Sequence, residues 1–101
     1  MHAWTPALKE RRDSDLWVAV TPTEFGDLEL AADAVGMPLR AFMREYALTC
    51  YRAAPPPAPD DDQRTVKLRL RCTPSERSAL KGYGGSPYVR GVCLAYARAP
   101  R

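Results

Sequence analysis

Thr65, Lys67, Arg69 and Arg71 occupy alternate positions in a segment whose other positions are Val66, Leu68, Leu70 and Cys72. Side chains two apart in an extended strand share a face, so the alternation predicts an apolar face on a core and a cationic row turned outward. Guanidiniums in such a row can bond bidentately to the O6 and N7 edge of guanine, and a lysine can reach the same edge or a phosphate. The competing reading is a charged strand face that only keeps the protein soluble and blocks edge-to-edge association.

The charge distribution along the chain favours the first reading. A net charge of +3 on 101 residues conceals a division: residues 1–63 hold six Lys/Arg against eleven Asp/Glu, and residues 64–101 hold nine against one, Glu76. The second portion is the expected polyanion contact. Between the portions, four prolines (Pro55, Pro56, Pro57 and Pro59) forbid a helix, and Asp60, Asp61 and Asp62 repel one another. This stretch reads as a linker over 53–63, and the span from Arg52 to Arg64 would reach ~40 Å when extended.

Enzymatic chemistry finds little support. The single histidine, His2, lies in the N-terminal arm expected over residues 1–14, and no Cys-His, Ser-His-Asp or paired-carboxylate spacing falls on a common element. The Asp60 to Asp62 run lacks the turn glycine and spaced ligands of a calcium loop, so neither a metal nor another cofactor is expected. Cys50, Cys72 and Cys93 form an odd set among apolar neighbours, which suits reduced, buried thiols. No run approaches the roughly 20 apolar residues of a membrane span, and the first residues lack a signal-peptide core, so a cytoplasmic protein is expected.

The elements that must position the cationic row come from an internal repeat. Leu16-Trp17-Val18-Ala19-Val20-Thr21-Pro22-Thr23-Glu24 aligns with Leu68-Arg69-Leu70-Arg71-Cys72-Thr73-Pro74-Ser75-Glu76 at an offset of 52. Each copy is apolar alternation followed by Thr-Pro-x-Glu, a capping box with proline at the first helical position. A strand should therefore run directly into a helix, twice. The first helix is expected over 22–35, with Phe25, Leu28, Ala32 and Val35 on one face and Glu24, Asp27 and Asp33 turned to water. After Gly36 a second is expected over 38–51, presenting Phe42, Met43, Tyr46 and Cys50.

In the second copy a helix over 74–83 is closed by Gly84 and Gly85, and Ser86 is expected to cap the next, with Pro87 at its first position. Val89, Val92, Cys93 and Tyr96 form the stripe of that last helix. The second helices align, Phe42-Met43-Arg44 with Tyr88-Val89-Arg90, only at an offset of 46, so the second copy is shorter around its interhelix turn.

This tandem strand-helix-helix pattern resembles the ribbon-helix-helix DNA-binding superfamily. The segment Met37-Pro38-Leu39-Arg40-Ala41-Phe42-Met43-Arg44-Glu45 after a glycine turn is similar to the second helix of MobC-type plasmid mobilisation proteins. The resemblance implies a mostly α fold with a short two-stranded antiparallel ribbon, one copy over 15–52 and another over 64–98. It implies insertion of the ribbon into the major groove of double-stranded DNA, by a bacterial or phage repressor of transcription or a relaxosome accessory factor. Base readout would fall to Thr65, Lys67, Arg69 and Arg71, with Trp17 as the one candidate on the first strand. Phosphate anchoring at the N-termini of the second helices would involve Arg40, Arg44, Ser86 and Arg90.

The two strands are unequal. The first presents Asp15, Trp17 and Ala19 outward, none a natural phosphate partner. Pairing of both strands within one chain, a pseudo-dimer favoured by tethering, would give a lopsided ribbon. Pairing of second-copy strands between two chains would give a homodimer suited to a palindromic site. Arg77, which replaces Phe25, is either a phosphate contact or solvated, and Lys9, Arg11 and Arg12 read as a mobile surface arm. The alternative function is a small protein-binding inhibitor or adaptor on the same scaffold, using Trp17 and the acidic first copy to engage a protein partner.

Overall fold

The structure, a computed structural model, describes residues 11–50 and 63–99. The linker expectation apart from Gln63, and residues 1–10 of the arm with Lys9 among them, lie outside the described residues. In chain order the elements are β1 (Ser14–Val20), α1 (Pro22–Ala34), α2 (Leu39–Thr49), β2 (Val66–Cys72), α3 (Pro74–Tyr83) and α4 (Ser86–Ala97). The fold is mostly helical, with one two-stranded sheet.

β1 and β2 pair antiparallel within the one chain, with Leu16 opposite Leu70, Val18 opposite Leu68 and Trp17 opposite Arg69. The alternation of residue types is obeyed on both strands: Leu16, Val18, Val20, Leu68, Leu70 and Cys72 are buried, and Trp17, Lys67, Arg69 and Arg71 are exposed. Each such leucine or valine removed from water contributes about 1.5 to 3 kcal/mol before the entropy of ordering is charged against it.

Both strands pass straight into helices because the two Thr-Pro-x-Glu segments form complete capping boxes. Thr21 Oγ1 accepts from the Glu24 amide at 3.0 Å and Glu24 accepts from the Thr21 amide at 2.8 Å, and Thr73 with Glu76 repeats the pattern at the same distances. Gly36, at φ 71°, turns the chain out of α1, with the Met37 amide donating to the Ala32 carbonyl and the Gly36 amide to that of Asp33. Gly84 plays the same part after α3 at φ 136°, and a Cβ there would meet the Tyr88 Cβ at 2.8 Å.

Several expectations are corrected. Glu24 is not turned to water but only 6% exposed, because its carboxylate is needed at the helix start. Val35 is the exposed cap of α1 and adds nothing to the buried face, which uses Ala31 instead. Ser86 does not cap α4: it is the first helical residue after Gly85, whose φ of 73° makes the entry, and its hydroxyl donates to the Trp17 carbonyl. α2 starts at Leu39, with Pro38 as its cap residue, and ends at Thr49.

The inner sheet face and all four helices share one core, including Leu28, Phe42, Met43, Leu48, Leu80 and Val89. The halves interlock: α2 packs on β2, α4 packs on β1, and α4 also crosses both α1 and α2. A half of about 35 residues cannot bury an adequate core alone, so each completes the other. The cysteines are free, and burial pushes the Cys72 thiol up to about 11 and the Cys93 thiol higher still, leaving both protonated. No described helix is long and apolar enough to cross a membrane.

Candidate nucleic-acid interface

The outward face of the sheet gathers the residues singled out for base readout. Its cross-strand pairs are Asp15 with Arg71, Trp17 with Arg69, and Ala19 with Lys67. Thr65 lies just ahead of β2, exposed, with its amide bonded to the Gln63 carbonyl. Trp17 is 54% exposed, and with Ala19 and Lys67 it lines a shallow recess of about 420 Å³. The face therefore offers three cations and one aromatic ring on a two-stranded ribbon, a width that the major groove admits.

The cations are not equally available. Arg69 and Arg71 are each about half exposed, at 49%, and both approach the Asp15 carboxylate, with Nε to Oδ1 distances of 4.0 and 3.3 Å. Arg71 also donates to the Arg12 carbonyl from Nε at 3.2 Å and from Nη2 at 3.0 Å. No acid stands opposite Lys67.

The residues proposed for phosphate anchoring separate into two kinds. Arg40 is exposed at the start of α2 and makes no described ion pair. Arg44, Ser86 and Arg90 instead tie helices to the ribbon. Arg44 donates from Nη1 to the Arg71 carbonyl at 3.1 Å and pairs with Glu45, Arg90 donates from Nη1 to the Ala19 carbonyl at 3.1 Å, and Ser86 holds the Trp17 carbonyl. These bonds fix the helix starts relative to the strands. They satisfy strand carbonyls and engage none of the outward side chains of the ribbon.

Arg12 and Arg64 have positioning contacts that sequence reasoning missed. Arg64 forks onto Glu24 through Nε at 3.3 Å and Nη2 at 3.2 Å, and Arg12 forks onto Glu76 through Nε and Nη2, both at 3.3 Å. Each capping-box glutamate thus holds the arginine that precedes the strand of the other half. Arg12 is an anchored residue, not part of a mobile arm, and it lies 3.7 Å from Glu45 as well. A signal was present: Arg12 and Arg64 each stand four residues ahead of Leu16 and Leu68, at the repeat offset. Arg77 is half-buried, and its Nε donates to the Asp15 carbonyl at 2.8 Å.

Burial alone would raise the Glu24 carboxyl, but the Thr21 amide and the Arg64 guanidinium outweigh it and hold the group below its ordinary 4.5. A carboxyl lowered on folding contributes stability that is present above the unfolded value and lost as pH falls through the folded one. Glu24→Gln is therefore expected to cost about 3 kcal/mol at neutral pH and to weaken the loss of stability in acid. Urea melts of both proteins between about pH 7 and pH 3 check this, and parallel curves would refute it.

No cluster of histidine, cysteine or acidic side chains among the described residues has the arrangement of a metal site. No protein-family model, curated protein or solved structure matches the chain.

Proposed function

We propose that the chain is a sequence-reading protein of double-stranded DNA. In this reading it is a tandem ribbon-helix-helix pseudo-dimer that inserts the β1-β2 ribbon into the major groove, as a transcriptional repressor or a plasmid relaxosome accessory factor. The observation that carries the reading is the exposure of Lys67, Arg69 and Arg71 on one face of an antiparallel ribbon whose other face buries Leu16, Val18, Val20, Leu68, Leu70 and Cys72.

The strand register supports the pseudo-dimer. Trp17 and Arg69 correspond at the repeat offset and are also opposite each other, so an approximate two-fold axis passes between them. The same axis relates Arg12 on Glu76 to Arg64 on Glu24, and Arg44 on the Arg71 carbonyl to Arg90 on that of Ala19. One strand of such a ribbon is basic and the other is not, so a single chain reads an asymmetric or short site.

Binding of a random-sequence duplex, followed by fluorescence anisotropy across a salt series, tests the reading. Phosphate neutralisation makes log K fall with log salt by about 0.9 per contact, and a slope of several such units is expected. Negligible duplex affinity at every salt concentration would overturn it and turn attention to a protein partner for the exposed Trp17.

A further inference from the structure

Asp15 is the one acid on the outward face of the ribbon, and it stands where the repeat places Lys67 in the other strand. Its Oδ1 lies 3.3 Å from Arg71 Nε and 4.0 Å from Arg69 Nε. That oxygen is shielded from solvent and takes no hydrogen bond among the described residues, so the two guanidiniums are its electrostatic compensation. The residue's position is fixed from behind, where Arg77 on α3 bonds the Asp15 carbonyl at 2.8 Å. At the other end of the ribbon Ala19 faces Lys67, which has no acid opposite.

We propose that Asp15 is a built-in counterion that sets the specificity of the ribbon, by lowering the affinity of Arg69 and Arg71 for phosphate without blocking a base edge. The inference rests on the DNA-binding reading and names a determinant within that face. A phosphate approaching either arginine also approaches the carboxylate, and the repulsion offsets much of the attraction. A guanine edge is neutral and offers two acceptors to a guanidinium, so it meets no such repulsion. The carboxylate can itself accept from the exocyclic amine of cytosine. Sequence-independent binding is thereby weakened relative to base readout, and Lys67 supplies the uncompensated charge for the encounter.

Asp15→Asn keeps the shape and the backbone carbonyl that Arg77 holds while removing the charge. The variant is expected to bind random-sequence duplex more tightly than the wild type, with a salt slope steeper by about 0.9. Its affinity advantage should then be about 3.5-fold larger at about 50 mM than at about 200 mM salt. The converse change, Ala19→Asp, places an acid opposite Lys67 and should make the slope shallower by a similar amount. A ribbon merely loosened by the substitution would bind more weakly and would not steepen the slope. Equal slopes for wild type and Asp15→Asn, both showing an intact melting transition, or weaker binding by that variant, would overturn the proposal. Absence of binding by wild type and both variants at about 50 mM salt would instead sink the DNA-binding reading, and this proposal with it.

Discussion

Alanine at Lys67, Arg69 and Arg71 together is expected to lower sequence-specific duplex binding by about 100-fold or more while the chain keeps its melting transition. Each good bidentate base contact discriminates by about 1 to 3 kcal/mol, so two arginines alone account for a loss of this order. The fold should tolerate the change because all three side chains are exposed and the apolar face of β2 is untouched. The ion pairs removed with them, Arg69 and Arg71 on Asp15, involve half-exposed arginines, and their truncation opens the shielded Asp15 oxygen to water, which keeps the cost to about 1 kcal/mol. The measurement is anisotropy on a duplex selected from a random pool by the wild type, beside a circular-dichroism melt of each protein. Retained specific affinity in a folded triple variant would remove the assignment of this face.

One position away from Arg69 and from Arg71, Leu70→Asp should have the opposite character. Leu70 is 0% exposed and opposes Leu16 on the inner face of the ribbon, against helices from both halves. An isolated carboxylate in that setting costs several kcal/mol whether it stays charged or takes up a proton, and the cavity left by the leucine adds to the cost. A domain of this size has a total stability of about 5 to 15 kcal/mol, so the variant is expected to be unfolded. Far-ultraviolet circular dichroism at 25 °C, with proteolysis as a second probe, reads the outcome. A normal cooperative transition would mean that the inner and outer faces of β2 had been interchanged.

Much of this arrangement was legible because short-range rules govern it. The alternation in β1 and β2, both capping boxes and the glycine turns at Gly36 and Gly84 each depend on residues within a few positions of one another. The outward row of Lys67, Arg69 and Arg71 followed from strand periodicity alone. Glu24 was misplaced for the converse reason. Its helical periodicity points it to water, whereas a fork from Arg64, 40 residues away in sequence, covers the carboxylate. Arg44, Ser86 and Arg90, read as anion contacts from their place near helix starts, are occupied by strand carbonyls that no local pattern could reveal.

Chain order and residue type by themselves determined that each strand runs directly into a helix through a capping box, and which side of each strand is apolar. Tertiary structure alone decided that the strands pair within one chain with Trp17 opposite Arg69. It also decided that Arg12 and Arg64 cross between the halves, and that Asp15 comes to rest beside two of the three ribbon cations. The physical reason is range. Capping and strand alternation are settled by neighbours along the backbone, whereas register, buried ion pairs and compensated surface charge depend on groups that only the shared core brings within a few ångströms of each other.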